Sequence, residues 1–417
     1  MNTTLDIHLH DRRVGRLERD SAARLTFHYD PAYLERPRHG ALSLSLPLRE
    51  QPFADAECRP FFGNLLPEAG LRHRIAAQLG LSTENDFALL EALGGECAGA
   101  VSLLPAGQAA SMEGEYRPLP VHQLAGIIHE LPTRPLMTAG EAIRLSLAGA
   151  QDKLPLYRDE QGDFHWALGA APSNIIIKPP IPGIEGSVEN EFFCMRLAAA
   201  AGLNVAQAEL TTIDGQRLFL VHRYDRHPGQ TGQIERLHQE DFCQALGLPP
   251  EHKYEAEGGP GFSACFRLLN DHSAAPAPDR LRLLQWLLFN WLIGNMDAHG
   301  KNLALIHASS GSRLAPAYDL LSTDAIDHLN RRMAMAIGGE HRPDWIRLDH
   351  LEGLAQDAEI NPRLVHRELQ RLCDRLEQEA PALIRTLEDE HGPMPTLPRI
   401  QAIIDRRIRK ARTGLLA

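Results

Sequence analysis

The sequence predicts an α+β fold in which a small N-terminal α+β unit precedes a sheet-rich lobe and then a helical lobe. Strand-like apolar segments are concentrated in residues 144–226, and helical patterns dominate from about residue 239. Hydrophobic residues fill 43% of the 417 positions, which is enough to bury more than one core. Residues 106–120 are rich in Ala, Gly, Ser and Pro, as linkers are. We therefore expect three parts, 1–110, 111–238 and 239–417.

The N-terminal unit mixes two kinds of pattern. The alternating segments LDIHLH, ARLTFHY and ALSLSLP predict strands, whereas GLRHRIAAQLG and ENDFALLEALGG predict helices. The first residues contain no apolar stretch of signal-peptide length, so we expect a cytoplasmic protein.

The second part has the pattern of a twisted antiparallel sheet that carries one helix. The predicted helix is ENEFFCMRLAAAAG, and the predicted strands are KLPLYRD, FHWALG, NIIIKPP, AELTTI and RLFLVHRY. The polar turns EQGD and DGQ each join two of these strands as a hairpin would.

The third part is mainly helical and is interrupted by the predicted hairpin NLALIHA-SSGS-RLAPAYD. Its most apolar segment, residues 281–296, contains polar residues and is shorter than the roughly 20 apolar residues that a membrane helix needs. We predict a buried core helix there, with Asp279 as a plausible N-cap, and no membrane association.

Charge and cysteine content narrow the class of protein. A net charge of -11 gives no general attraction to nucleic acid. The basic run RRIRKAR, residues 406–412, is either a solvated helix face or an auxiliary DNA contact. The six cysteines form no CxxC pair, which argues against a disulfide framework and against a zinc site.

The strongest local signal for chemistry is GNMDAHGKNLALI, which begins at Gly294. Asp297 and Asn302 are five residues apart, as are the catalytic Asp and the magnesium-binding Asn of protein kinases. Asp319 ends the following hairpin, where it can return to face Asn302 as a second magnesium ligand. An isolated loop Asp more often forms an Asx-turn, and nearby histidines raise the alternative of a zinc site, but their spacing fits no zinc pattern.

Two further segments could hold phosphates. SLAGAQDKLPLY is a small-residue loop in which Gly149 lets backbone N–H groups approach an anion and Lys153 adds charge, although for this loop taken alone a tight turn with a capping Ser is the better interpretation. Lys178 ends NIIIKPP, where it could reach phosphates or could be an edge-strand lysine in water. Glu189 or Glu191 of the next helix could pair with it, and we favour Glu191.

Together these segments resemble the HipA family of bacterial toxin kinases. The resemblance also covers FFGNLLPEAG, GGECAGAVSLLP, HRYDR, HQEDFCQALG, KYEAEGGPGF and APAYDLLS, and so extends over nearly the whole chain. It implies a small N-terminal domain fused to a two-lobed, protein-kinase-like domain that uses ATP and Mg²⁺ to phosphorylate a serine of a protein, such as an aminoacyl-tRNA synthetase.

The resemblance also implies roles for individual residues. Asp297 would be the catalytic residue, Asn302 and Asp319 the metal ligands, and Ser146 the autophosphorylated serine through which the kinase inactivates itself. The residues implied to contact ATP are Ala148, Gly149, Ala150, Gln151, Asp152, Lys153, Lys178, His222, Arg223, Tyr224, His299, Lys301, Asn302, Tyr318 and Asp319. Expected partners are a HipB-like helix-turn-helix antitoxin and, mainly through it, operator DNA.

Two other functions compete with an active toxin kinase. A pseudokinase that acts as a corepressor with a DNA-binding antitoxin would be favoured by a missing magnesium ligand, but Asp297, Asn302, Asp319 and Lys178 are all present. A metal-dependent hydrolase built on NMDAHGKN would act without a nucleotide.

Overall fold

A computed structural model describes residues 3–36, 40–108, 114–135, 148–229 and 233–416. The N-terminal part is an antiparallel sheet of order β3-β2-β1-β4 covered by helices. Phe27, Phe53 and Phe62 lie at the centre of its core, with ring centroids 5.6 to 6.0 Å apart around Phe27. Its elements are β1 (Thr4–Leu9), β2 (Arg12–Arg19), β3 (Leu25–Tyr29), α1 (Pro31–Leu34), α2 (Asp55–Gly63), α3 (Ala69–Leu79), α4 (Asp86–Leu93) and β4 (Val101–Pro105).

The predicted strand ALSLSLP is wrong. Residues 41–47 form a tight turn in which Ser43 and Leu46 make an isolated bridge. Leu42 and Leu46 are buried, which accounts for the alternation of apolar and polar residues in this segment. The polar groups between them bind the carboxylate of Glu240 and do not pair with a neighbouring strand. The Ser43 hydroxyl donates to this carboxylate, and the Leu44 N–H donates to it at 3.0 Å.

The upper lobe is a six-stranded sheet of order β5-β7-β6-β8-β10-β9. The strands predicted for this lobe are confirmed, and so is the predicted helix, which is α6. A second helix, α5, was not predicted and packs against the same sheet. The elements are β5 (Gly114–Pro118), α5 (Val121–Glu130), β6 (Leu154–Arg158), β7 (Phe164–Gly169), β8 (Ile175–Lys178), α6 (Ser187–Ala200), β9 (Ala208–Ile213) and β10 (Gln216–His222).

The linker predicted at 106–120 is wrong for its second half. Strand β5 lies at the edge of the upper sheet and pairs with β7 from Gly114 to Pro118. The Tyr116 ring stacks on Tyr157 at 3.8 Å, and its hydroxyl donates to the Pro172 carbonyl at 3.0 Å. These contacts come from residues distant in sequence, and an edge position tolerates the proline that made the segment look like a loop.

The lower lobe is a set of helices around α9, with a small sheet of order β13-β14-β15 beside it. A two-stranded ribbon, β11 and β12, connects the lobes. The elements are β11 (Arg226–Pro228), β12 (Ile234–Arg236), β13 (His238–Asp241), α7 (Phe242–Ala245), α8 (Phe262–His272), α9 (Pro276–Ile293), β14 (Ala304–Ala308), β15 (Gly311–Leu314), α10 (Leu348–Asp357), α11 (Pro362–His391) and α12 (Leu397–Gly414).

The predicted core helix is confirmed, because most side chains of α9 from Leu283 onward are buried. Its predicted N-cap is wrong, since α9 begins at Pro276 and Ala275 precedes it. Asp279 is instead fully buried, and its carboxylate accepts hydrogen bonds from the Arg313 guanidinium at 2.8 and 2.9 Å. It therefore ties α9 to strand β15. No helix in the described ranges is both long and apolar enough to cross a membrane.

The basic run near the end of the chain is largely paired with acidic groups. Arg406 and Arg407 contact Asp324, and the side chain of Arg407 is buried. Arg412 contacts Asp374 and Glu377. These ion pairs favour the interpretation of the run as a helix face over that of a DNA contact.

Candidate active site

A cavity of about 430 Å³ lies where the N-terminal part and the two lobes meet. Its volume is within the range usual for small-molecule sites. Every predicted nucleotide contact in the described residues lines it except Asp152, and so does Asp297. The N-terminal part contributes Asn64, Glu68 and Ala98, none of which was predicted as a site residue.

Lys178 is the centre of the charged network in this cavity. Its ammonium donates to Glu191 at 2.7 Å and to Asp319 at 2.9 Å. Glu189, the alternative partner, contacts Arg217 instead. Burial alone would lower the pKa of Lys178, but the charges of Asp319 and Glu191 outweigh it and raise that pKa above its usual value. Lys178 is therefore a permanent cation that faces the cavity.

Asn302 and Asp319 meet as the hairpin pattern predicted. The Asn302 amide donates to one oxygen of Asp319 at 2.8 Å, while Lys178 binds the other oxygen. Burial alone would raise the pKa of Asp319, but Lys178 holds it well below its usual range, so the carboxylate is ionised. Asp319 has a φ of 58°, which is uncommon for a residue other than glycine and is held here by these two contacts.

Asp297 is exposed at the edge of the cavity, on a loop that follows helix α9 and is held by side-chain hydrogen bonds. The helix α9 ends at Gly294 with a φ of 76°, and the next N–H groups are bound by side chains: Met296 by Thr323 at 2.7 Å and Asp297 by Asn295 at 3.1 Å. The Tyr254 hydroxyl donates to the Asp297 carboxylate at 2.7 Å. Tyr254 lies in the quoted motif KYEAEGGPGF but was not predicted to be a site residue.

The phosphate loop, residues 148–153, closes on itself through Lys153. The Lys153 ammonium donates to the Ala148 carbonyl at 2.5 Å. Gly149 has a φ of 111°, a backbone conformation that favours glycine. Burial and then the charge of Lys178 lower the pKa of Lys153 to about 8. Ser146, the predicted phosphorylation site, lies outside the described residues.

Asp152 is the exception among the predicted nucleotide contacts. Its carboxylate turns away from the cavity and accepts from the Arg74 guanidinium at 2.5 Å. Its neighbours Gln151 and Lys153 both line the cavity. Asp152 is therefore the predicted nucleotide contact that does not line the cavity.

The connection between the lobes runs from His222 to Asp225. The His222 ring contacts Glu209 at 2.6 Å, and the Tyr224 ring stacks on Tyr318 with centroids 5.6 Å apart. The Arg223 guanidinium is buried, where it contacts Glu96 at 3.2 Å and Asp225 at 2.9 Å. This segment is thereby fixed to the N-terminal part rather than left as a free hinge.

Two further predicted contacts lie deeper in the cavity. Burial lowers the pKa of His299 to about 4, so its ring is neutral near pH 7. The Lys301 ammonium donates to Asn64 at 2.8 Å and contacts Glu68 at 2.9 Å. Within the described residues, no three His, Cys, Asp or Glu side chains are grouped so that they could hold a metal ion.

Comparisons with known proteins match both halves of the chain. The HipA N-terminal domain family matches residues 5–104, and the HipA-like C-terminal domain family matches residues 145–380. The putative kinase Y4mE of Sinorhizobium fredii is 45% identical over 91% of this chain and 90% of its own. The serine/threonine-protein kinase toxin HipA of Shewanella oneidensis is 33% identical over 93% of this chain and 92% of its own.

A solved structure extends the likeness to three dimensions. It contains the Shewanella oneidensis toxin–antitoxin system HipA and HipB with its operator DNA. The match has a TM-score of 0.83 at 30% sequence identity and covers 97% of each chain.

Proposed function

Because this chain belongs to the HipA family of serine/threonine kinases, we propose that it transfers the γ-phosphoryl group of ATP to a serine of a protein substrate. The observation that supports this proposal best is the continuous contact from Glu191 through Lys178 and Asp319 to Asn302, in the cavity that Asp297 borders. Kinase chemistry needs a cation on the phosphates, oxygen ligands for magnesium and a carboxylate at the acceptor hydroxyl, and these residues supply all three.

The residues of the cavity fit ATP and Mg²⁺. Ile176, Val221 and Leu321 give it apolar walls, Lys153 and Lys178 bring two ammonium groups, and Gly149 gives the phosphate loop a backbone that can approach an anion closely. Asn302 and the ionised Asp319 would hold Mg²⁺, which takes oxygen ligands and keeps several waters. When bound, Mg²⁺ would neutralise charge that develops on the transferred phosphoryl group.

Asp297 would orient the acceptor hydroxyl and accept its proton. Its exposure lets a protein substrate approach, and the Tyr254 hydroxyl holds one carboxylate oxygen in a fixed direction. Positioning and electrostatics carry most of phosphoryl transfer, so a fixed carboxylate at the acceptor is the contribution this loop would make.

The proposal extends to partners and to self-regulation. The substrate would be a translation-related protein of the aminoacyl-tRNA synthetase type, and the chain would act in the cytoplasm as the toxin paired with a HipB-like antitoxin, through which it would contact operator DNA. Phosphorylation of Ser146 would add a charge of about -1.5 to -2 close to the phosphate loop and repel ATP. The kinase would then switch itself off.

We also propose the division of the chain into parts 1–110, 111–238 and 239–417. Three separate apolar clusters support it, although helix α6, which packs on β9 and β10 of the upper sheet, belongs to the same cluster as the lower lobe.

The first experiment maps phosphate on the protein itself. Dephosphorylated parent protein and an Asp297→Ala variant are incubated with Mg²⁺ and ATP and analysed by intact and peptide mass spectrometry. We expect phosphate on Ser146 in the parent and at least about 100-fold slower incorporation in the variant. A parent that binds no ATP and takes up no phosphate would contradict the kinase proposal and favour a corepressor without catalytic activity.

A further inference from the structure

The N-terminal part contacts the phosphate loop directly. Pro67 and Gly149 form a parallel bridge, in which the Glu68 N–H donates to the Gly149 carbonyl at 3.1 Å. Gly149, whose positive φ shapes the loop, therefore accepts a backbone hydrogen bond from the N-terminal part of the chain. The loop is therefore held at its tip by a segment about 80 residues earlier in the chain.

A side-chain contact holds the other end of the same loop. Arg74, one turn into α3, contacts Asp152 at 2.5 Å, and the Asp152 side chain is only 7% exposed. With Asp152 held away from the cavity, the next residue, Lys153, lines it, and its ammonium closes the loop on Ala148. The Arg74–Asp152 pair thus sets the direction of a phosphate-facing lysine without touching the cavity.

The segment that carries these contacts is itself fixed to the catalytic loop. The Glu68 carboxylate contacts Lys301 at 2.9 Å and Lys253 at 2.8 Å. Burial alone would raise the pKa of Glu68, but these two lysines lower it to about 2, so the contact persists at any ordinary pH. Residues 67–74 therefore connect the phosphate loop with the loop that carries Asp297 and Asn302.

We propose that Arg74 is a positioning residue for the ATP phosphates, which acts by holding Asp152 and thereby orders the phosphate loop before the nucleotide arrives. This inference rests on the proposed kinase function. A loop that is already ordered costs less conformational entropy when a ligand binds, so its anchor strengthens binding without touching the ligand. The effect should appear for ATP and not for adenosine, because adenosine has no phosphates for the loop to contact.

The test compares the affinity of two probes, the β,γ-imido analogue of ATP with Mg²⁺, and adenosine, by calorimetry on the full chain. In Arg74→Ala we expect the affinity for the ATP analogue to fall about tenfold and that for adenosine to stay within twofold. The charge-exchanged double variant Arg74→Asp with Asp152→Arg should recover most of the loss. His73→Ala, an exposed neighbour on the same helix, is the matched control and should behave as the parent.

A second readout does not depend on binding. Cleavage after Lys153 by endoproteinase Lys-C, which does not cut after arginine, should be faster in Arg74→Ala than in the parent in the absence of nucleotide and should slow again in the double variant. Equal affinities of parent and Arg74→Ala for the ATP analogue, or an equal loss for both probes, would overturn the role of Arg74. A parent that binds neither probe would instead refute the proposed function itself.

Discussion

Lys153 is held in surroundings that disfavour its charge. It is packed within the phosphate loop, close to Lys178, and burial together with that second cation lowers its pKa to about 8. In the proposed complex the ATP phosphates would compensate for both effects, because an anion beside the ammonium favours the protonated form. Binding of ATP would then be coupled to protonation of this one side chain.

This coupling predicts a pH dependence of nucleotide affinity. The charged form of Lys153 is the form that binds phosphates, so the contribution is fully present below pH 8 and is lost as the pH rises above it. We expect the dissociation constant of the ATP analogue to increase several-fold between pH 7.5 and pH 9.5, as measured by calorimetry. Lys153→Arg, which stays charged throughout, should flatten the dependence, and an unchanged slope in that variant would assign the titration to another group.

At the scale of single residues, the sequence predicted those site residues that lie at a recognisable spacing from one another along the chain. Asp297 with Asn302, and Asp319 at the end of a hairpin, could be found because the interval between them is short. Glu68 and Glu96 could not, since each acts on a partner more than 100 residues away and neither lies in a pattern that marks a charged contact. The signal that could have found them is that both stand within the motifs on which the family resemblance rests.

Among the elements, helix α9 sets the position of the loop that carries Asp297 through its last turn. Gly294 ends the helix in a left-handed conformation, and a Cβ there would lie 2.8 Å from Ile403 and 3.0 Å from Asp324. Because α12 packs closely against this position, there is no room for a side chain. Glycine also allows the left-handed conformation through which the chain turns towards Asp297.

We expect Gly294→Ala to lower the free energy of unfolding by about 2–3 kcal/mol, about 1 from the backbone conformation and the rest from the clash. Urea denaturation measures it. Gly80→Ala is the control, because Gly80 ends α3 with a similar φ of 66° and has nothing within 4 Å of its Cβ position. Equal losses in the two variants would show that close packing at Gly294 contributes nothing.

Elements whose pattern matched their burial were predicted correctly, and elements defined by distant partners were not. Strand β5 owes its conformation to pairing with β7, and the turn at Ser43 owes its conformation to Glu240. Neither partner can be identified from the local sequence, because composition reports turn tendency and alternation but not which groups will complete the hydrogen bonds.

On the scale of the whole molecule, a buried ionic cluster joins the N-terminal part to the segment between the lobes. One oxygen of Glu96 contacts Arg223 at 3.2 Å and Arg226 at 3.1 Å, and the side chains of all three residues are at most 4% exposed. Asp225 completes the cluster by accepting from the Gly99 N–H at 2.7 Å. The order of the parts along the chain could be predicted from patterning, whereas this junction could not.

Removal of one charge from this cluster should be costly. We expect Glu96→Gln to lower the free energy of unfolding by about 3 kcal/mol, because two buried arginines would then share the single carboxylate of Asp225. Chemical denaturation measures the loss, and Glu84→Gln, an exposed glutamate of the same part, is the control. A loss below about 1 kcal/mol would show that the cluster does not stabilise the junction.

The packing of α12 against Gly294 also has a consequence during synthesis of the chain. Asp297 is translated about 100 residues before Ile403 and Arg406. Ile403 packs directly against Gly294 at the start of the Asp297 loop, and Arg406 holds that loop through its ion pair with Asp324. At about 5–20 residues per second, several seconds pass between these two events. A nascent chain on the ribosome therefore carries Asp297 for that time without the support that fixes its loop, and the proposed activity would begin only after α12 has emerged.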